Sequence, residues 1–288
     1  MNAMPTARLR FAAWLTGYAL LVGACVWSLS AANELSFGRQ PWTNLQKTAA
    51  EFARPSFIDV WFGNPKLEYK SDDGIVLRTE DRRIIERQFL QSLVNATWTT
   101  IKIGTLGSLL AALLALPFGL LAARNLNAPQ ALQLLAKSVL DVARSIHTLV
   151  FGLVLVGIVG LGPTAGILAI ALHSMGTYGK LYSEAIENLD MAAVDAVRAV
   201  GASPPQVFFT AVWPGVLPQL VSSHLYVWEF NIRDSTILGM IGAGGLGLLI
   251  SEAVSLFQWG RLATILLVVI AVVSAFDALS RRLRQELL

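Results

Sequence analysis

Six runs of roughly 20 mostly apolar residues recur along this sequence, and a run of that length can cross the hydrocarbon core of a bilayer as a helix. Backbone groups inside the hydrocarbon must bond to one another, and a helix achieves this within a single apolar run. The sequence therefore predicts an all-α, polytopic membrane protein with six transmembrane helices. The predicted spans cover residues 11–31, 93–123, 144–161, 164–182, 212–230 and 262–279.

The composition favours a membrane protein over a soluble one. Hydrophobic residues make up 55% of the chain and charged residues only 14%, whereas a soluble domain carries about 25% charged residues. The net charge of +3 comes without a pattern of interleaved basic and aromatic residues, so no nucleic-acid partner is expected. The single cysteine, Cys25, excludes an internal disulfide and any metal site built from several cysteines.

Basic residues indicate the orientation of the chain. Lysine and arginine concentrate in the cytoplasmic loops of membrane proteins, and here they lie at both ends of the chain and in the loops that six spans place on the same side. We therefore expect both termini to be cytoplasmic and the long segment 32–91 to lie on the periplasmic side. The basic residues that carry this prediction are Arg8, Arg10, Arg124, Lys137, Lys180, Arg198, Arg281, Arg282 and Arg284.

The first span and the loop after it leave alternatives open. We expect residues 11–31 to be an uncleaved anchor, because the run is longer than the apolar region of about 7–15 residues in a signal peptide, which is the alternative. Within the loop, the apolar spacing of residues 78–91 predicts an amphipathic helix. We interpret this helix as a surface element lying on the membrane, or alternatively as a docking surface for an external partner.

A glycine-rich stretch lies between the last two spans. Residues 242–247 match the letters of the dinucleotide-binding fingerprint, but that motif requires a preceding strand within a βαβ unit. Between membrane spans, glycines permit a tight turn and a close helix contact. We therefore predict a periplasmic re-entrant loop over residues 231–259, with a turn formed by Gly242, Gly244, Gly245 and Gly247.

The sequence carries no catalytic or nucleotide-binding motif. Its three histidines, His147, His173 and His224, lie far apart and outside any His-Glu-x-x-His motif, and it has no P-loop. We interpret each histidine as a hydrogen-bonded interior side chain, with a ligand role as the alternative. The chain is therefore expected to be neither an enzyme nor an ATP-binding protein, and to hold no metal.

Polar and ionisable residues follow directly after the apolar residues of the fifth span. Ionisable groups near membrane depth are costly, and they usually pair with one another or line a pathway. Glu229 and Arg233 are four residues apart and would share a helix face. They either form an ion pair that pins the end of the span or line the route of a polar or anionic solute. The candidate pathway residues are Glu229, Asn231, Arg233, Ser235 and His147.

A short stretch rich in small residues lies between the fourth and fifth spans. It resembles the coupling motif of ABC-importer permeases, in which a Glu-Ala-Ala triplet precedes a glycine and then a Leu-Pro pair. Asp195, Val197 and Trp213 depart from that pattern, although the spacing is kept. The residues that align with the motif are Asp195-Ala196-Val197, Gly201 and Trp213-Pro214.

Further segments resemble the phosphonate-type subfamily of these permeases. The resemblance covers about residues 95–288. Two features depart from it: residues 62–86 form a longer loop, and Asp234 stands where the subfamily has a small residue. The segments that carry the resemblance are residues 159–163, 179–187, 198–203, 229–233, 240–247 and 279–284.

The resemblance implies the type I ABC importer permease fold, as a single permease domain over residues 1–288 in the bacterial inner membrane. It also implies a homodimer of the permease, a periplasmic substrate-binding protein, and two ATP-binding subunits that hold the ATP and Mg. The cytoplasmic coupling segment, residues 183–210, would dock on the ATP-binding subunits. Its expected contact residues are Ala192, Ala193, Asp195, Ala196, Ala199, Gly201, Ala202 and Pro214.

The same resemblance implies a transported solute. We expect import of a phosphonate or a related reduced phosphorus anion, phosphite or hypophosphite, by alternating access. A permease for another small solute, such as phosphate or methionine, is the alternative. A passive channel and a membrane-embedded enzyme are further alternatives.

Overall fold

A computed structural model of this chain describes residues 4–32, 34, 40–62, 66–70, 76–126 and 129–287. The chain divides into two compact units between Ala50 and Glu51. The first unit contains helix α1 (Met4–Ala31) and most of helix α2 (Pro41–Phe52). The 22-residue apolar stretch Arg10–Ala31 of α1 is long enough to cross a membrane, and none of its side chains is buried. The prediction of one domain over residues 1–288 remains a prediction.

The second unit is built almost entirely from helices. A two-stranded antiparallel hairpin, in which Lys66 pairs with Asp81, is the only sheet in the described part of the chain, so the predicted all-α class is confirmed. Two π-helical turns, Phe208–Val212 and Gly239–Ala243, flank helix α10. The elements are α3 (Ser56–Phe62), β1 (Lys66–Lys70), β2 (Val76–Asp81), α4 (Arg82–Ala122), α5 (Gln130–Ser145), α6 (Thr148–Val159), α7 (Pro163–Glu187), α8 (Met191–Ala199), α9 (Pro204–Val207), α10 (Trp213–Leu238), α11 (Leu246–Ser255) and α12 (Trp259–Leu287).

The described residues contain three helices long and apolar enough to cross a membrane, α1, α4 and α12, or up to five spans if two bent helix pairs each count as one. The first pair is α5 with α6, bent by 89°, and the second is residues 204–243 with α11, bent by 59°. The predicted third span, residues 144–161, is wrong in its bounds, because α6 has only 12 residues and starts after the bend at Ile146 and His147. The count of six spans and the cytoplasmic termini remain predictions.

Two other predicted boundaries differ from the structure. The amphipathic helix predicted over residues 78–91 begins at Arg82, because the residues before it pair in β2 and the Asp81 carboxylate caps α4 by accepting from the Arg83 amide at 2.9 Å. The fifth span, predicted to end at residue 230, continues as α10 to Leu238. The predicted re-entrant loop therefore turns only after Leu238, and α11 follows the turn.

Small residues allow the central helices α4, α7 and α10 to pack closely. An added Cβ on Gly104 of α4 would lie 2.7 Å from the Ile232 side chain of α10, and one on Gly107 would lie 2.8 Å from Ile170 of α7. Helices in a membrane gain little from burying apolar surface against one another, so close packing of small residues supplies much of their contact energy. Glycine at these positions brings the backbones of the three helices together.

We predict that Gly176→Ala destabilises the protein and that Gly157→Ala does not. A Cβ on Gly176 of α7 would meet the backbone of α5 at the Leu140 carbonyl and the Arg144 amide, the latter at 2.6 Å, whereas one on Gly157 of α6 would meet nothing within 4 Å. Overpacking of this kind costs about 1–3 kcal/mol, and an open helical glycine changed to alanine gains up to about 1 kcal/mol. Thermal unfolding of the purified variants in detergent measures both effects, and equal midpoints would contradict the close packing of α5 on α7.

Candidate functional site

Helix α10 has two faces with different character. Asn231, Asp234 and Ser235 lie on its buried face, at 1%, 7% and 0% exposure. On the opposite side, the exposed face of α10 carries Tyr226, Phe230, Arg233 and Ile237. Tyr226, Phe230 and Ile237 are each 40–60% exposed as whole residues, and the Arg233 side chain is exposed to a similar extent. Successive helical residues turn by about 100°, which places Arg233 nearly opposite Asn231. The five candidate pathway residues therefore do not form one cluster.

Asn231 links three helices through its side-chain amide. Its Oδ1 accepts a hydrogen bond from Ser174 Oγ of α7 at 2.9 Å, and its Nδ2 donates to Ser108 Oγ of α4 at 2.8 Å. Nearby, Ser235 Oγ donates to the Thr100 carbonyl of α4 at 3.1 Å and to the Ile232 carbonyl at 2.7 Å. Both side chains thus form hydrogen bonds to neighbouring helices, which gives Asn231 and Ser235 a structural role in this conformation.

A further polar contact joins α10 to α6. Thr148 Oγ1 donates to Asp234 Oδ2 at 2.9 Å, and both residues are buried. Asp234, the residue that departs from the subfamily pattern, is therefore matched by a hydroxyl donor on the neighbouring helix. Sequence reasoning did not single out Thr148, Ser108 or Ser174. The signal that could have found them is a small hydroxyl residue within an apolar run, since such residues often bond across helices.

His147 occupies the bend between α5 and α6. Its Nδ1 accepts from the Leu149 amide at 3.2 Å and so caps α6, while His173 Nδ1 lies 2.7 Å from the Ile146 carbonyl. The two imidazole rings are 6.2 Å apart between centroids. His173 is half-buried and hydrogen-bonded, as the first interpretation predicts, whereas His147 is hydrogen-bonded but exposed, so its prediction as an interior side chain is wrong.

Glu229 and Arg233 pair with each other, as their spacing predicts. Arg233 Nη2 lies 3.7 Å from Glu229 Oε1, with the Arg233 side chain 51% exposed and the Glu229 side chain 16% exposed. The Arg233 guanidinium also lies over the Phe230 ring, 6.0 Å from its centroid. The Arg233 guanidinium thus lies on the exposed face of α10, whereas the Glu229 side chain is mostly covered.

Lys102, a cation on α4, points away from this pair. On α4, Gly104 faces α10, and Lys102 lies two residues earlier, about 200° around the helix. Lys102 is exposed, on the side of α4 that also exposes Trp98 and Leu106. Lys102 and Arg233 therefore leave the contact between α4 and α10 in opposite directions and do not form one anion site within a single chain.

The predicted coupling segment contains the short helix α8, which is attached to the bundle by one buried side chain. Val194 is 1% exposed and packs with Val207 and Val212, while the Asp190 carboxylate caps the helix at the Ala192 amide at 2.9 Å. The small residues on the remaining surface are open to a partner. The exposed candidate residues are Ala192, Ala193, Asp195, Ala196 and Ala199.

Helix α8 ends at Ala199, within the predicted coupling segment, and Gly201 follows with a φ of +85°. A left-handed residue after a helix is typically glycine, because other side chains are strained there. Ser203 and Gln206 then cap α9, which runs through the first π-helical turn into α10. Ala202 is half-buried beside α9, and Pro214 lies exposed in the first turn of α10.

The glycine-rich turn joins α10 to α11 through backbone conformations that favour glycine. Gly242, Gly244 and Gly245 have φ values of +108°, +86° and +70°. The Gly242 carbonyl accepts from the Gly162 amide at 2.9 Å, which ties this turn to the loop between α6 and α7. A Cβ on Gly247 would overlap the Thr236 carbonyl. The turn thus positions α11 closely against α10.

Comparisons with known proteins agree on one class of membrane protein. The family described as "Binding-protein-dependent transport system inner membrane component" matches residues 115–287. The phosphite transport system permease protein PtxC of Stutzerimonas stutzeri is 40% identical over 201 residues, which are 69% of this chain and 71% of that protein. The phosphate-import permease protein PhnE of Mycolicibacterium smegmatis is 37% identical over 195 residues, which are 68% of this chain and 37% of that protein.

A solved structure shares the fold. A chain from inward-facing conformations of the MetNI methionine ABC transporter aligns with a TM-score of 0.64 at 21% identity. The alignment covers 70% of this chain and 98% of that chain. At this level of identity, the likeness describes the fold alone.

Proposed function

This chain belongs to the family of binding-protein-dependent transport system inner membrane components, and from that premise we propose that it is the permease subunit of an ATP-driven importer for a phosphonate or a related reduced phosphorus anion. The observation that carries the substrate class is the 40% identity to a phosphite permease over 69% of the chain. Phosphite and hypophosphite are the smaller anions of this class.

Family and fold together confirm the prediction of a phosphonate-type ABC permease with the type I importer fold. They also confirm a multi-pass protein of the bacterial inner membrane, consistent with the apolar helices of the structure. The matched relatives are permease proteins, so we assign this chain a transport role. In the proposed complex, ATP and Mg bind to separate ATPase subunits.

The proposed complex contains two copies of this permease, two ATPase subunits and a periplasmic substrate-binding protein. The surface of α8 supports the contact with the ATPase, because its exposed alanines permit close approach of another backbone. Val194 holds α8 against the residues that lead into α10, so a displacement of α8 is passed to α10. Closure of the ATPase subunits on ATP would then move α10 and switch the side to which the pathway opens.

The exposed face of α10 is the proposed lining of the pathway. Arg233 lies about 20 residues, or roughly 30 Å, beyond the start of α10, and its guanidinium is half exposed. A half-exposed charge is costly in lipid, so this face is expected to border water or another protein. Arginine binds oxyanions through several N–H donors, which suits a phosphorus anion. We therefore assign the pathway role to Glu229 and Arg233. We assign His147, Asn231 and Ser235 a structural role.

Uptake into liposomes tests the proposed function. The permease is reconstituted with its ATPase and binding-protein partners, and phosphonate, phosphite, hypophosphite, phosphate and methionine are supplied outside, with or without ATP inside. We expect uptake of at least one reduced phosphorus anion only when ATP is present. Flux without ATP would favour the passive channel, and ATP-driven uptake of methionine or phosphate alone would assign another solute.

Substitutions in the coupling segment test how ATP hydrolysis is linked to transport. We predict that Ala196→Leu and Gly201→Val lower uptake at least about tenfold while ATP hydrolysis continues, since each adds bulk to a close contact worth several kcal/mol across an interface. Gly201→Val also strains the backbone, because valine disfavours a positive φ.

Ala131→Leu is the matched control for these two variants, because Ala131 is exposed on α5, outside the coupling segment, and the change adds similar bulk. We expect this control to transport normally. Uptake and hydrolysis are measured in the same liposomes. Normal uptake by both Ala196→Leu and Gly201→Val would contradict docking through this surface.

A further inference from the structure

The ion pair between Glu229 and Arg233 lies on a helix of a membrane protein, where charged side chains usually have a functional role. It lies on α10, with the Arg233 side chain 51% exposed and the Glu229 side chain 16% exposed, and among the described residues neither side chain bonds to another helix. Ionisable side chains within membrane-spanning segments are rare and usually face a water-filled cavity or a partner. An i,i+4 ion pair on a helix contributes only about 0.3–0.5 kcal/mol, which is a weak reason to keep two charges there.

The geometry of the pair is loose. The 3.7 Å between Arg233 Nη2 and Glu229 Oε1 exceeds the 2.7–2.9 Å or so of a charge-assisted hydrogen bond. The guanidinium therefore keeps donor capacity for another acceptor. Phe230 lies beneath the guanidinium at 6.0 Å and supports its position without occupying its donors.

Movement of either side chain would leave the bundle intact. The hydrogen bonds that join α10 to its neighbours come from other residues, namely Asn231, Asp234, Ser235 and Trp228 by their side chains and His224 and Leu225 by their carbonyls. Glu229 and Arg233 share none of these hydrogen bonds. The carboxylate can thus leave the guanidinium without disturbing the packing of α4, α6 or α7 against α10.

We propose that Glu229 is an internal competitor of the transported anion for Arg233. In the empty pathway the Glu229 carboxylate neutralises the Arg233 guanidinium. A phosphorus oxyanion that enters displaces the carboxylate from the guanidinium, and the returning carboxylate later displaces the oxyanion. A transport pathway must bind its ion strongly enough to admit it and weakly enough to release it. Glu229 sets this balance, because its return to Arg233 speeds the release of the anion. This inference rests on the proposed function.

The test compares Glu229→Gln with Arg233→Gln, in the complete complex with its ATPase subunits. Two measurements are made with phosphite: equilibrium binding to the solubilised permease–ATPase complex without binding protein, and maximal uptake with the binding protein in liposomes. We expect Glu229→Gln to bind phosphite about tenfold more tightly and to transport it more slowly, since removing the competing charge is worth roughly one unit of log affinity. Arg233→Gln should lose both binding and uptake.

Asp277→Asn is the matched control, because Asp277 and Arg281 form another i,i+4 ion pair, on α12 and outside the coupling segment. This control should match the wild type in both measurements. Glu229→Asp is a second variant, which keeps the charge, and its phosphite affinity should return toward the wild-type value. Phosphite binding by Glu229→Asp as tight as that by Glu229→Gln would contradict competition by the carboxylate charge.

The outcomes separate the two proposals. If the wild-type complex takes up no phosphorus anion, the proposed function fails. If the wild type transports phosphite, but Glu229→Gln binds it no more tightly than the wild type, the competitor role fails and the proposed function stands. Equal losses of melting temperature in Glu229→Gln and Arg233→Gln, with unchanged binding, would identify the pair as a pin at the end of α10 and would also overturn the inference.

Discussion

Asn231 fixes the register of three membrane helices, because its amide bonds to Ser108 of α4 and to Ser174 of α7 at the same time. An amide without partners would be costly in hydrocarbon, and bonds of this kind between membrane helices contribute about 0.6–2 kcal/mol each. Sliding or rotating α10 by one residue would break both. Gly104 and Gly107 bring the backbones close enough for these short side chains to meet.

The orientation of α10 follows from this constraint and determines what the helix can do. With Asn231, Asp234 and Ser235 turned into the bundle, the helical period leaves Phe230 and Arg233 on the exposed face. The same helix begins at the residues that hold α8. A rigid α10 can therefore connect the proposed ATPase contact at one end with the proposed oxyanion contact about 30 Å along its length. π-helical turns at both ends, the second with positive-φ Gly242, are places where the backbone departs from a continuous α-helix.

Local sequence features predicted those parts of the molecule that depend on neighbouring residues. The apolar runs predicted α1, α4 and α12, the four-residue spacing predicted the pair of Glu229 with Arg233, and small residues followed by glycine predicted the position of α8. Each of these depends on contacts within a helical turn or on the length of one segment. The family resemblance added the permease fold, which the comparisons confirm.

Features that depend on distant residues were not predictable in the same way. Polar residues after position 230 indicated the end of a span, but they are helical, and Asn231 and Asp234 are buried because their partners Ser108, Thr148 and Ser174 lie on other helices. The break in the predicted third span depends on His147. Its ring nitrogen caps the start of α6, so the helix does not continue from α5 into α6. Strand β2 forms because residues 76–81 find a partner in β1, which the helical spacing of residues 78–91 could not reveal.

The central claim is that the exposed face of α10 borders water in the membrane, and the access of water to a single cysteine tests it most directly. Cys25 is replaced by serine, and a cysteine is placed either at Phe230 on α10 or at Leu109 on α4, which are 47% and 49% exposed. Thiols react as thiolates, which form in water and not in lipid. A charged, membrane-impermeant thiol reagent should label Phe230→Cys at least about tenfold faster than Leu109→Cys in intact membranes. Equal protection of both cysteines would contradict the account.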